Sequence, residues 1–366
     1  MGVILGIDFG MTNTTVSYVD ADGTVKLIPS SNGYPYFPTL VYIDPSEYYV
    51  YTGESALYEG ADNPQGLIRN IKAFVGDEYF AYEIGGRSFS VEYVIELFLK
   101  SVMHQVAEHL GDVEIDGAVI SCPCHYTKKK IMSIVNAAEK VALPNGKHLK
   151  VLNAVNDLVA ASVAYYLPRN EQKKVLLYDL GGTFDVALVN VDTTEGGIGI
   201  NVLGATGDNQ LGGDEWTCAL EMYLIEQFAE RTGIDEDTLF FDMDTRFDIR
   251  QNAERAKIIL STSDVASVNP EHGYQREKIT VTRELFQELT EFRLLHTLSL
   301  TDKLLFDCET DPDSIDEILL CGRATRMSQV KEALARSYGK PVVTSDPDSL
   351  VSIGAAMIGG GFYKGI

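Results

Sequence analysis

YDLGGTFDV, residues 178–186, follows the apolar run Val175, Leu176, Leu177 and puts Asp179 where a strand ends, with Gly181, Gly182, Thr183 and a second acid, Asp185, after it. Asp at a strand end is commonly a turn former, because its side chain bonds its own backbone. The glycines permit backbone angles and close approaches that other residues do not. Successive exposed N–H groups make a concavity suited to anions, nucleotide phosphates among them. Taken alone, a plain tight hairpin is the stronger reading, since short motifs match by chance.

The stretch has a counterpart. VILGIDFGMTN, residues 3–13, also runs an apolar strand into an acid, Asp8, then Gly10, Met11 and Thr12, and both copies continue into a second apolar strand (TTVSYVD and FDVALVNVD). Two copies about half the chain apart suggest two similar lobes. Facing each other, the lobes would set two backbone loops and two acids around one cleft, where rigid scaffolds usually carry binding sites.

A third glycine turn, TGDNQLGGDEW (206–216), places Gly212 and Gly213 before a helix with apolar Trp216, Ala219, Leu220, Tyr223 and Leu224, ending at Gly233. A glycine turn at a helix start suits an anion, and an ordinary capped loop reads equally well. Residues 91–110 carry the stripe Val91, Val94, Ile95, Phe98, Leu99, Val102, Met103, Val106, Leu110, which predicts a helix. AVISCPCHYTKKKIMSIVNAAEKVAL reads as strand, Pro turn and helix, and residues 313–337 as strand, glycine turn and helix. Strands alternating with helices in both halves make the class α/β. In RQNAERAKIILSTS (250–263), Glu254, Lys257 and Ser261 share one helical face beside Ala253, Ala256 and Leu260. Alone, this reads first as a solvated face with a Glu–Lys pair. It also suits ribose hydroxyls and a purine.

With 366 residues, two domains or one two-lobed body are expected. A net charge of −23, from 53 acids against 30 Lys plus Arg, argues against a nucleic-acid partner. It leaves a nucleotide open, since backbone N–H groups, a metal and a few cations can hold one. The five scattered cysteines read as buried thiols of a reducing compartment, with no second pair at zinc spacing. No signal peptide, myristoylation pattern or membrane-spanning run is read, so a cytoplasmic chain without a membrane partner is expected.

These motifs, in this order, resemble the nucleotide-binding domain of the seventy-kilodalton heat-shock (heat shock protein 70, DnaK-type) chaperones, within the actin-like ATPase superfamily. GIDFGMTN is similar to the family's first phosphate loop, YDLGGTFDV to its second, GDNQLGGDEW to its lobe-two glycine turn and AERAKIILSTS to its adenosine helix. ILLCGRATRMSQV and SDPDSLVSIGAAMIGG resemble its closing adenosine motif and final helix. The resemblance runs from about Val3 to Gly361. It implies a two-lobed actin-like ATPase fold, with duplicated ribonuclease-H-like lobes around a nucleotide cleft. Lobe I would take residues 1–168 (subdomain IB about 38–93) and lobe II residues 169–366 (subdomain IIB about 208–290).

The resemblance further implies ATP or ADP with Mg²⁺. Asp8, Asp179 and Asp185 would hold the hydrated metal. Gly10, Met11 and Thr12, with Gly181, Gly182, Gly212 and Gly213, would hold phosphates. Lys72, in IRNIKAFVG, falls at the family's catalytic lysine, Asp157 at its glutamate, and Thr183 at the threonine near the γ-phosphate. Glu254, Lys257, Ser261, Gly322, Arg326 and Asp348 would form the nucleoside pocket, with Arg323 beside the phosphates. Phosphoryl transfer relies on positioning and charge neutralisation, which such a set supplies.

The departures from the family cluster at chemistry. The second loop has two glycines where the family has three, Met11 replaces a threonine, Asp157 a glutamate, and Leu158 the following proline. Ile131 stands at a relay arginine (with Lys128–Lys130 close by), Arg323 at a glycine, Ile258 at a base-packing arginine, and Asn153 at an arginine that meets J-domain partners. The stretch from Gly76 to Ser88 is also shortened. The family's linker, peptide-binding domain and lid lie outside this sequence, which fits an excerpt or a stand-alone module alike. The expectations are therefore a slow ATPase domain of a chaperone, a nucleotide-sensing module with little hydrolysis, or, least supported, a small-molecule kinase. A monomer is expected, with an exchange factor on lobe II as an expected partner and a J-domain partner left open.

Overall fold

The computed structural model describes residues 2–194 and 198–362. Two sheets organise it. In the first, the strands run in the order Val151–Asn156, Ile115–Cys122, Val3–Phe9, Asn13–Val19, Val25–Ile28, with Phe37–Pro38 paired to Asn13–Val19. In the second the order is Gly199–Asp208, Phe184–Asp192, Gln172–Leu180, Glu317–Cys321, Val342–Thr344. The two orders match. In each, a hairpin's first strand pairs antiparallel with its second, and on its other edge parallel with a strand from much later in the chain. The repeated hairpin is therefore the seed of a duplicated α/β unit. The first strand of each hairpin is covered on both faces, which is why it reads as a nearly unbroken apolar run rather than an alternating one.

The helix Val91–Leu110 forms as the periodicity requires, and all nine residues of its stripe are buried. Ser90 caps it, accepting from Tyr93 N. Each of its large apolar side chains contributes about 1.5–3 kcal/mol by burial. The helix Gly213–Thr232 ends at Gly233 with φ 74°, the left-handed cap expected of glycine.

Two helices cross between the units. Asp157–Tyr166 leaves the first sheet but packs its Leu158, Ala161 and Val163 with Val175, Leu177 and Val189 of the second. Leu350–Gly359 leaves the second sheet and lies on the first, where Ser352 Oγ and Ser17 Oγ are 2.9 Å apart. The helices meet so closely that a Cβ on Gly354 would strike the Ala160 backbone. This shared floor joins the lobes below the hairpin turns.

Insertions build the upper walls. The small sheet Val50–Thr52, Val41–Ile43, Leu67–Ile68 leads into the short 3₁₀ turn Ile71–Phe74, which carries Lys72. On the other side the helix Met243–Leu260 packs beside Gly213–Thr232. Among the described residues no helix is long and apolar enough to cross a membrane.

Candidate functional site

Asp8 and Asp179 occupy equivalent places. Each is the last residue but one of its strand, and each lies beside a parallel neighbour, Asp8 at Ser121 and Asp179 at Cys321. Ser121 Oγ donates to Asp8 Oδ1 at 3.2 Å. Across the hairpins Asp8 faces Thr15, whereas Asp179 faces Asp185. Thr183 Oγ1 donates to Asp185 Oδ2 at 3.4 Å. The loops Gly10–Thr12 and Gly181–Thr183 are equal in length, and they touch: a Cβ on Gly182 would collide with Met11.

Lys72 reaches this point from above. Asn70, left-handed at φ 53°, turns the chain inward and donates its amide to Asp214 Oδ2 of the opposite lobe at 3.1 Å. The Lys72 side chain is 4% exposed, with Nζ 4.0 Å from Asp157 Oδ2. Tyr126 O–H donates to the Lys72 carbonyl at 3.1 Å. Asp157 opens its helix directly after the cap Asn156, whose side chain accepts from Leu158 N and Val159 N. Its Oδ1 is buried without a hydrogen-bond partner.

Asp8, Asp157 and Asp179 thus lie around one ammonium, with Asp185 paired across the hairpin from Asp179. Burial raises Asp8 against the pull of Lys72 and Ser121. Burial pushes Asp157 up to about 7, because the Lys72 charge does not repay the lost hydration. Asp179 is raised furthest by burial, and then by the negative charges of Asp185, Asp157 and Asp8. Burial works against the Lys72 ammonium, but Asp157, Tyr126 and Asp8 hold it above the ordinary lysine value. The group is short of positive charge, and a divalent cation fits that deficit.

The second loop is tied from behind. Gly213 N donates to Gly181 O at 2.8 Å, and Gly181 N to Thr183 O at 3.0 Å. Gly212 N is taken by Glu215 Oε2 at 2.6 Å, closing a cap of the helix on itself. Lys257 Nζ donates to Gly213 O and Thr217 Oγ1, each at 2.8 Å, and lies 2.7 Å from Glu254 Oε2. The polar stripe therefore faces the glycine turn rather than bulk solvent. Ser261 caps that helix and bonds back to Lys257 O at 3.1 Å.

Gly322 ends the strand Glu317–Cys321 at φ 78°, and a Cβ there would meet Asp179 Oδ1 and the Leu180 backbone. Only glycine brings the closing turn against the second loop. Arg326 Nη2 lies 2.9 Å from Asp348 Oδ2, and Arg323 Nε 3.5 Å from Asp348 Oδ1. The Arg323 guanidinium also lies over the Tyr36 ring, 4.0 Å from its centroid, so this departure from the family's glycine makes a contact between lobes.

Sequence reasoning passed over Cys124, His125 and Asn209. Cys124 Sγ donates to Asp185 Oδ1 at 3.1 Å, His125 Nδ1 lies 2.9 Å from the same oxygen, and His125 Nε2 bonds Asn209 Oδ1. Burial raises the Cys124 thiol, and Asp185 raises it further. For His125, burial is outweighed by the Asp185 hydrogen bond, which holds the imidazole above its ordinary value. One signal was available: in an α/β sheet, groups just past the carboxyl ends of adjacent parallel strands share a crevice, and CPCH follows the strand beside Asp8.

Comparison with known proteins adds the following. The family model described as "Hsp70 protein" matches residues 78–365. Proteins named "Chaperone protein DnaK" from Thermotoga petrophila, Thermotoga maritima and Thermotoga neapolitana are each 33% identical to this chain over 364 residues, covering 97% of it and 58% of their own length. The chain thus spans somewhat more than half the length of these relatives.

Proposed function

Because this chain belongs to the Hsp70 family, whose nucleotide-binding domain it represents, we propose that its cleft binds Mg-ATP and Mg-ADP, hydrolyses ATP slowly, and couples nucleotide state to lobe closure. The observation that carries this is the set Asp8, Asp157, Asp179 and Asp185 around Lys72, at facing ends of two equivalent hairpins. A surplus of buried carboxylates with one orphaned oxygen is what a cation-binding phosphoryl-transfer site needs.

In this reading Asp8, Asp179 and Asp185 hold a hydrated Mg²⁺. The ion supplies neutralisation of phosphate charge. Gly10, Met11, Thr12, Gly181, Gly182, Gly212 and Gly213 would hold the phosphates. Lys72 stabilises charge that develops on the transferred group. Asp157 accepts a hydrogen bond from the attacking water and orients it, and Thr183 sits beside that position. Glu254, Lys257 and Ser261 on one side, with Gly322, Arg323, Arg326 and Asp348 on the other, take the nucleoside. The division into lobes at 168/169 belongs to the same proposal, as do a monomeric state and an exchange factor on lobe II. So does a chaperone role, which the name of the relatives suggests. A cytoplasmic setting is supported by the five free thiols.

A nucleotide sensor with little turnover is the second reading. It is favoured by the Gly181 carbonyl and N–H both being engaged locally. Single-turnover hydrolysis separates the two. Binding itself is tested by thermal shift and calorimetry with millimolar Mg-ATP, since a ligand of the native state raises the melting temperature by mass action. No shift and no heat would overturn both readings.

A further inference from the structure

Cys124 and His125, which have no part in the proposed phosphoryl transfer, form a cluster with Asp185. Their Sγ, imidazole nitrogen and carboxylate oxygen lie within 4.8 Å of one another. Cys124 and His125 sit just past the first-sheet strand Ile115–Cys122, across Pro123, while Asp185 belongs to the second-sheet hairpin. The cluster therefore spans the two lobes. Asp185 is 5% exposed at its side chain and His125 23%, and Cys124 is half-buried, so the cluster is reached from solvent on the Cys124–His125 side.

We propose that Cys124 Sγ, His125 Nδ1 and Asp185 Oδ1 bind one borderline-soft divalent transition ion of the Zn²⁺ class, clamping the lobes together. Three arguments carry it. The donor set is sulfur, nitrogen and oxygen, which suits Zn²⁺ or Co²⁺ and not Mg²⁺, an ion that prefers oxygen and keeps its waters. Three protein ligands with a fourth position open is the arrangement of an accessible zinc centre rather than a closed structural one. The far side of the imidazole is already fixed: Asn209 Oδ1 accepts from Nε2–H, which aims Nδ1 at Asp185, where its N–H now donates and where, once deprotonated, its lone pair would meet an ion.

The spacing is close to what an ion needs. Sγ and Nδ1 now stand 3.1 and 2.9 Å from Asp185 Oδ1. Around a tetrahedral ion with ligand bonds of about 2.0–2.3 Å, the donor atoms stand roughly 3.4 Å apart. A spread of about half an ångström converts the hydrogen bonds into coordination. The Cys124 thiol proton and the His125 Nδ1 proton both leave to solvent as the metal–sulfur and metal–nitrogen bonds form, and no electron is transferred.

This inference does not rest on the nucleotide reading, and its test uses the nucleotide-free chain. Co²⁺ is titrated into reduced, metal-free protein and followed by absorption. The expected result is one equivalent bound, with a thiolate-to-cobalt charge-transfer band and tetrahedral d–d bands. Both are lost in Cys124→Ser and His125→Ala and kept in Cys218→Ser and Cys308→Ser. Asn209→Ala, which leaves the three ligands in place, should weaken Co²⁺ binding about 10–100-fold. Zn²⁺ should displace the Co²⁺ signal and raise the melting temperature of the parent but not of Cys124→Ser, and millimolar Mg²⁺ should do neither. Absence of the charge-transfer band at stoichiometric Co²⁺, or its persistence in Cys124→Ser, overturns the proposal. If the substituted chains prove unfolded by circular dichroism, Asn209→Ala decides: unchanged affinity counts against the site.

Discussion

Replacing Lys72 by Met removes the ammonium beside Asp157 while keeping its volume. The side chain is 4% exposed and its Nζ is 4.0 Å from Asp157 Oδ2. Unit charges at that separation interact by about 4 kcal/mol at an effective dielectric constant of 20. Breaking a buried pair by removing one partner typically costs about 3–5 kcal/mol, because the other charge is left uncompensated. Here protonation limits the loss, since burial already pushes Asp157 up to about 7. The destabilisation of Lys72→Met should therefore be large at pH 8 and small at pH 6. Lys72→Met/Asp157→Asn should recover most of the stability, as replacing both members of a buried pair is often nearly neutral. Turnover should behave differently. Loss of one preorganised group facing transition-state charge costs roughly 10²–10³ in rate. Urea denaturation at the two pH values, single-turnover hydrolysis of Mg-ATP and calorimetric ADP affinity read these effects separately. Hydrolysis by Lys72→Met at the parental rate would refute the reasoning. So would recovery of turnover together with stability in the double variant, which would make Lys72 structural.

Three further outcomes are expected. In chelator and without nucleotide, stability should decline as pH rises from about 4 to about 7. The raised carboxyl of Asp157 makes the native state bind more protons than the unfolded one, a contribution complete below the ordinary carboxylate range and lost as pH passes about 7. The slope from this group is at most about 1.4 kcal/mol per pH unit, and denaturation of Asp157→Asn should show it flattened. Gly322→Ala should cost about 1–3 kcal/mol for backbone strain at φ 78° and weaken ADP binding, because the new Cβ presses on Asp179; parental affinity by calorimetry would count against the close approach. Inserting a third glycine after Gly182 should speed hydrolysis and widen the ATP-versus-ADP difference in hydrogen-exchange protection if loop length limits chemistry. If both stay the same or fall, the short loop is this protein's own working geometry.

The elements were legible where local chemistry determines them. The stripe of Val91–Leu110 named the buried residues because a helix period of 3.6 leaves no other face for them. The two acid–glycine turns were legible as a pair because the fold repeats, and repetition shows in sequence. Lys72 and Asp157 were not legible from spacing. They come from a short 3₁₀ turn and a helix start that meet only in the folded chain, and only the family resemblance pointed to them. The crossing of Asp157–Tyr166 onto the second sheet and Leu350–Gly359 onto the first was equally hidden, since both helices are apolar enough to pack on either. The stripe Glu254, Lys257, Ser261 was readable as a face. Its partner, the Gly213 carbonyl, was not, because it depends on how two helices pack.

The duplicated hairpins also explain why the second loop tolerates its length. Both loops leave their strands after an acid at the penultimate position, both are equally short, and each is held from outside by a backbone bond within its own half of the chain: Thr39 N to Thr12 O in one, Gly213 N to Gly181 O in the other. The Gly213–Gly181 bond continues through the Gly213 carbonyl to Lys257 and Glu254, so the turn at Gly181–Thr183 and the helix Met243–Leu260 are positioned together. Losing a glycine relative to the family therefore need not be a lesion in one loop. The turn at Gly181–Thr183 is bonded to the glycine turn, and Met11 of the facing loop lies close against Gly182. Met11 stands where the family has a hydroxyl, and a small hydrophobic contact between the loops is what that substitution makes. On the proposed nucleotide reading the two departures act together: a shorter loop on one lobe is met by the Met11 side chain of the other.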